Sequence, residues 1–349
     1  MTEKVLMQGG HALGEAAVRA GCRFYSAYPI TPSLEILEYM VNRMPEVRGV
    51  CVQAETEIAG ISMVAGAAAA GFRAMTASSG LGISLMTETM SHLGDMELPA
   101  VIVNLARIGL GAGGGDYVGF APSQADYFQA TKGGGHGGFR LIVLAPSSIQ
   151  ETVDLTYKAF DIAEQYRNPV MIMGDFLIGQ VTAPVVFPEL RQPDNNKPWA
   201  LTGCKDRKPN YFAGVIHDDL QEHMLNKYET IKAKEALSES LYLDDAKLVM
   251  VAWGTVSRVV REAVEEARSQ GLKVGMVRPI SLWPFPDKAL QEAADKAQSI
   301  MVLELSQGQM IDDVRLAVKH KVPVDLYKRV GGTWPSRTEI VQAIKGQLS

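Results

Sequence analysis

The chain has 349 residues, 47% of them hydrophobic and 21% charged, enough to build two domains with their own cores. Its 34 basic and 39 acidic residues leave a formal charge of −5, which offers no basic stripe to nucleic acid. In chain order, short apolar or β-branched runs at 4–7, 23–27, 49–53, 73–78, 100–105, 140–144 and 170–173 predict strands. Helical patterns at 11–20, 33–43, 56–70, 82–92 and 147–166 separate most of them. Strands alternating with helices imply an α/β fold with a doubly wound parallel sheet, and the unbroken run VIVNLA suits a strand covered on both faces. Five prolines between Pro184 and Asn210 mark a crossing segment, followed by a helical pattern over 217–237. A second α/β pattern then opens, with strands at 248–253, 273–277, 300–303 and 324–328 and helices at 257–270, 286–297 and 311–319. The division expected is a domain over 1–185, a Pro-rich segment and helix over 186–240, and a smaller α/β domain over 241–349.

Several chemistries are excluded. Cys22, Cys51 and Cys204 lie far apart and include no CxxC pair, so no iron–sulfur cluster or Cys-rich zinc site is expected in this chain. The six histidines form no HExxH pair, and no metal site is expected. The longest uncharged apolar run, Ile58 to Phe72, has 15 residues and falls short of the roughly 20 that span a bilayer. The opening MTEKVLMQGG lacks an apolar signal core, so a cytoplasmic location is expected.

In open α/β sheets, ligands bind beyond the carboxyl ends of the strands. The residues following the expected strands are Tyr28-Pro29-Ile30-Thr31-Pro32-Ser33, then Glu55 and Glu57, then Ser79-Gly80, then Arg107. A hydroxyl, a carboxylate, a Ser/Gly turn and a guanidinium thus converge on one edge. Each also has an ordinary reading: hydroxyls cap helices, acids favour the first helical turn, and an arginine can close a surface ion pair. Gly9, Gly10 and Gly14 follow a strand and open a helix, but their spacing is not GxGxxG. The runs GLGAGGGDYVG and KGGGHGG hold no P-loop, and read as loops beside the site with Asp116, Lys132 and His136 as polar candidates.

The ordered set YPITPS (28–33), Glu57-Ile-Ala-Gly, Thr76-Ala-Ser-Ser-Gly80 and Arg107 resembles the thiamine pyrimidine-binding domain of 2-oxoacid:ferredoxin oxidoreductases. WGT (253–255), VRPISLWPFP (277–286) and LELSQGQM (303–310) resemble the transketolase C-terminal-type domain of the same alpha subunit. The resemblance covers nearly the whole chain and implies oxidative decarboxylation of a 2-oxoacid to acyl-CoA with reduction of ferredoxin. It implies that Glu57 bonds the aminopyrimidine ring of thiamine diphosphate and favours its imino tautomer, a general acid–base role. It implies that Tyr28, Pro29, Ile30, Ser79 and Gly80 line the cofactor, that Thr31 contacts substrate, and that Arg107 meets its carboxylate. Gly174-Asp175-Phe176 with Asn195-Asn196 only partly matches the GDG…N magnesium-diphosphate motif. Mg2+ and [4Fe-4S] clusters are therefore expected on partners: a beta subunit holding the diphosphate, and gamma and ferredoxin-like subunits. The apolar, glycine-rich stretch after Arg107 resembles members of the 2-ketoisovalerate type, acting on branched-chain or other apolar 2-oxoacids. Two other readings stay open: a beta component of a thiamine-dependent dehydrogenase or a transketolase-like enzyme, and a non-catalytic structural or ligand-binding subunit.

Overall fold

The structure, a computed structural model, describes residues 4–108, 121–194, 197–201, 203 and 218–349. Its first elements are β1 (Val5–Gln8), α1 (Gly9–Arg19), β2 (Phe24–Ala27), α2 (Leu34–Glu46), β3 (Val50–Gln53) and α3 (Glu57–Ala69). There follow β4 (Ala74–Ser78), α4 (Leu81–Leu85), α5 (Thr87–Asp95), β5 (Val101–Ala106), α6 (Tyr127–Lys132), β6 (Ile142–Leu144) and α7 (Ile149–Tyr166). Next come β7 (Val170–Asp175), α8 (Phe176–Gln180), β8 (Thr182–Val185), α9 (Asp218–Glu235), β9 (Ser238–Leu241), β10 (Leu248–Val251) and α10 (Val256–Ser269). The chain ends with β11 (Val274–Pro279), β12 (Ser281–Trp283), α11 (Asp287–Ala294), β13 (Ser299–Glu304), α12 (Met310–Val318), β14 (Val324–Lys328) and α13 (Arg337–Leu348).

The runs with no polar alternation become the middle of a seven-stranded sheet ordered β12-β6-β7-β5-β4-β2-β3. All six residues of β5 are buried, as are those of β7, because helices cover both faces. Every pairing from β6 to β3 is parallel, and only the edge strand β12 runs antiparallel, against β6. The second sheet, β14-β13-β10-β11-β9, is parallel except for its own edge strand β9. The α/β fold expected from the alternating pattern is the fold observed.

Four expectations change in detail. The run at 4–7 does form β1, but it pairs with β8 in a two-stranded ribbon outside the main sheet. Its first two residues are exposed, so it lacks the burial on both faces that a central parallel strand needs. The helix expected over 82–92 divides at Met86 into α4 and α5. The segment VRPISLWPFP carries a strand back into the first sheet, so β12 joins the two halves of the chain. Helix α13 had no counterpart in the sequence reading, although Ser336 and Glu339 form a reciprocal capping box at its start.

The glycines of α1 serve packing. A Cβ on Gly9 would stand 1.6 Å from the carbonyl oxygen of Ile178, and one on Gly10 or Gly14 would meet α2 at 2.8 Å. Helix α9 lays Tyr228 and Ile231 into the core of the first sheet, with the Tyr228 ring edge-on to Trp283 at 5.7 Å. Trp253, fully buried, belongs to a core that also holds Met171 and Met173 of β7, so one apolar cluster runs through both sheets. Among the described residues no helix is long and apolar enough to cross a membrane.

Candidate active site

The chain passes from β2 outward to β3, then returns to β4 on the other side of β2. The strand order reverses between β2 and β4, which is where doubly wound sheets open a crevice at their carboxyl edge. Tyr28 leaves β2 at this point, Glu57 heads the helix after β3, Ser79 and Gly80 leave β4, and Arg107 leaves β5. The structure therefore brings the sequence candidates to one edge, with Arg107 two strands from Tyr28.

Glu57 is the best-defined member. Thr56 caps α3 by accepting the Ala59 N–H at 3.1 Å, which fixes Glu57 as the first helical residue and turns it inward. It is only 7% exposed, whereas Glu55 is exposed. Its Oε1 accepts a long hydrogen bond from Ser78 Oγ at 3.4 Å. A Cβ on Gly82 would lie 2.3 Å from that same oxygen and 2.1 Å from Ser78 Oγ, so the turn after β4 can wrap the carboxylate only with glycine there. Ser79 is fully buried and its Oγ has no hydrogen-bond partner among the described residues.

The YPITPS segment forms a tight turn in which both the backbone N–H and the Oγ of Ser33 donate to the Ile30 carbonyl at 2.9 Å. Ser33 is thus a turn residue and does not cap α2 with its side chain. Tyr28 is 40% exposed, while Pro29, Ile30 and Thr31 are half-buried. Arg107 is half-buried and bridges Pro122 through its backbone.

Other candidates have different places. Asp175 is 2% exposed and caps α8 through the N–H groups of Leu177 and Ile178, at 3.0 and 3.3 Å, while Thr255 donates to its second oxygen. Desolvation raises its pKa, against those hydrogen bonds. An acid so occupied matches the strand-end role; Asn195 and Asn196, like Asp116 and the loop around it, lie outside the described residues. Lys132 pairs with Asp313, which also accepts from Tyr127 at 2.6 Å, so it ties α6 to α12. His136 is exposed, its backbone N–H donating to Ser91. No group of three potential metal ligands occurs among the described residues.

Sequence reasoning missed Asp126 and Asn104. Asn104 lies beside Ser78 in the β4–β5 register and donates to the Asp126 carboxylate at 3.2 Å. The lone polar residue inside VIVNLA was the signal available.

A buried carboxylate and a serine–glycine turn at the switch point of a parallel sheet define a candidate cofactor site in an α/β fold. Residues 15–240 match the family model described as pyruvate flavodoxin/ferredoxin oxidoreductase, thiamine diphosphate-binding, and residues 246–340 match pyruvate:ferredoxin oxidoreductase core domain II. The chain belongs to this oxidoreductase family. It is 44% identical to the ketoisovalerate oxidoreductase subunit VorB of Methanothermobacter thermautotrophicus over 97% of both chains. It is 35% identical to the 2-oxoglutarate synthase subunit KorA of Methanocaldococcus jannaschii, over 97% of this chain and 99% of that one. The structure of 2-oxoglutarate:ferredoxin oxidoreductase from Magnetococcus marinus superimposes with a TM-score of 0.88 at 28% identity, covering all of this chain and 66% of the other. A split-gene transketolase shares the fold at a TM-score of 0.59 and 14% identity, over 98% of each chain.

The residues at the switch point fit the ring end of thiamine diphosphate. Glu57 offers an inward carboxylate, Ser79 a buried hydroxyl without a partner among the described residues, and Gly82 lets the backbone close on Glu57 and Ser78.

Proposed function

We propose that this chain is the alpha-type subunit of a cytoplasmic 2-oxoacid:ferredoxin oxidoreductase that converts a branched-chain or other apolar 2-oxoacid and coenzyme A to acyl-CoA. The single observation that carries the reading is Glu57, a carboxylate buried at the switch point and wrapped by a turn that admits no side chain at Gly82. Bound thiamine diphosphate supplies the electron sink for decarboxylation. Glu57 would hold a proton at the aminopyrimidine ring nitrogen, the general acid–base role open to a buried carboxylate at that position. Tyr28, Pro29, Ile30, Ser79 and Gly80 orient the ring. Thr31 contacts the substrate, and Arg107 meets its carboxylate with a planar fork.

The diphosphate with its Mg2+ and the [4Fe-4S] clusters belong to partner subunits in this reading: a beta subunit, and gamma and ferredoxin-like subunits passing electrons to ferredoxin. Three dispersed cysteines support that division. The 44% identity to a ketoisovalerate oxidoreductase subunit, above the 35% to a 2-oxoglutarate synthase subunit, supports the apolar substrate. The test is to co-purify the chain with its partners, measure thiamine and iron, and compare acyl-CoA formation from 3-methyl-2-oxobutanoate, pyruvate and 2-oxoglutarate. A preference for 2-oxoglutarate would refute the substrate assignment, and a complex without thiamine would refute the cofactor role.

A further inference from the structure

Asp126 occupies the N-cap position of α6, where an aspartate ordinarily accepts a first-turn N–H of its own helix. Here it makes no such bond. Its carboxylate accepts instead from Asn104 Nδ2 at 3.2 Å, on the β5 residue that pairs with Ser78, and lies near enough to the Gly80 backbone N–H to be favoured by its dipole. Gly80 sits in a backbone conformation that glycine alone adopts readily. Its backbone angles are φ +53° and ψ −116°, outside the ordinary regions for a side-chain-bearing residue, yet a Cβ there would meet nothing within 4 Å. The glycine is needed for its conformation, which turns its N–H toward the Asp126 carboxylate. Two residues on, Gly82 closes against the Glu57 carboxylate and Ser78.

The other side of Asp126 is anchored to the C-terminal sheet. Gln124 exchanges hydrogen bonds with the backbone of Leu305 at 2.9 Å in both directions and donates to the Trp253 carbonyl. Gln309 accepts from the Phe128 N–H at 2.7 Å and donates to the Ala125 carbonyl at 2.8 Å. Glu304, fully buried, in turn receives the N–H groups of Gln309, Met310 and Ile311, which fixes the start of α12. The segment 124–128 is therefore held from one side by β13 and α12, and from it a single carboxylate reaches the Gly80 turn.

We infer that Asp126 is a positioning residue, which sets the Ser79–Gly82 turn against Glu57 and ties the geometry of the thiamine-ring site to the C-terminal sheet. This inference rests on the Glu57 reading of the site. Burial pushes the Asp126 carboxyl above its usual range, against the bond from Asn104 and the dipole of the Gly80 N–H.

The test compares Asp126→Leu with Asp126→Asn in the assembled complex, reading thiamine diphosphate affinity by calorimetry, thiazolium proton exchange by NMR, and the melting temperature. Leucine fills the space but accepts nothing, so affinity falls and exchange slows by about 10²-fold, as for a displaced reacting group, while the melting temperature holds or rises. Asparagine keeps an oxygen for the Gly80 N–H, because Asn104 can rotate its otherwise unpartnered amide oxygen toward the new NH2 group. It recovers most of what leucine loses. Exchange and affinity in Asp126→Leu within twofold of wild type overturn the inference. So does a loss that tracks a fall in melting temperature, or asparagine as impaired as leucine. Glu57→Gln, measured alongside, separates the two ideas. If it leaves exchange unchanged, the Glu57 reading fails; if it slows exchange while Asp126→Leu does not, only the positioning role fails.

Discussion

At the scale of single residues, the site separates two glutamates that sequence alone leaves side by side. Glu55 is exposed and Glu57 buried, because the Thr56 cap starts the helix between them and positions two apart do not share a helical face. Glu57→Gln keeps the volume and loses the carboxylate, so thiazolium proton exchange in the assembled complex should slow about 10²–10⁴-fold, the usual cost of a general acid–base group. Glu55→Gln should retain wild-type exchange; the reverse ranking would transfer the role to Glu55. Arg107→Lys keeps the charge and loses the fork, so KM should rise for the 2-oxoacid and not for coenzyme A. Equal rises for both substrates would make Arg107 a structural residue. These side chains were legible in the sequence because each directly follows a strand, and strand ends in a parallel sheet share an edge. Asp126 was not legible. It follows no strand, and its N-cap position predicts a local bond that it does not make.

At the scale of elements, period and apolar content were enough to find nearly every strand and helix of both sheets. Short elements and edges were harder. α6 and α8 are too brief to show a helical period, β9 is an edge strand with no buried residue, and β12 is only three residues long. The glycines of α1 show how an element's neighbours can imitate a motif. Their placement after a strand suggests a dinucleotide loop, but Gly9 is pressed on the backbone of α8 and donates its N–H to the Val181 carbonyl at 3.0 Å. Gly9→Ala should therefore overpack that contact and lower stability by about 1–3 kcal/mol, read as a lower urea midpoint. An unchanged midpoint would mean that α1 and α8 are not packed as described.

At the scale of the whole molecule, the two sheets are joined by more than a linker. β12 completes the first sheet from within the second half of the chain, Thr255 donates to Asp175, and Arg278 of β11 reaches Glu151 at the start of α7. The last contact is a bidentate pair, with Arg278 Nη1 and Nη2 on the two Glu151 oxygens at 3.0 and 2.9 Å and Nε on Glu239 at 3.0 Å. Burial alone would raise the pKa of Glu151, but its bonds to Arg278 and Ser147 outweigh burial and hold it below the usual glutamate range. A carboxyl whose folded pKa is depressed stabilises the fold fully above its unfolded pKa and loses that contribution as pH falls through the folded value. Replacing Glu151 by Gln at neutral pH leaves Arg278, 7% exposed, with Glu239 alone. Because Glu151 is itself 21% exposed, the cost should be on the order of 2–3 kcal/mol, less than the about 3–5 kcal/mol of a fully buried pair. The gap in urea midpoint between wild type and Glu151→Gln should then be widest near pH 7 and shrink as pH falls below the usual glutamate range. A gap that stays constant across that range would show that Glu151 joins the two sheets by shape and neutral hydrogen bonding, and that its charge contributes nothing to holding them together.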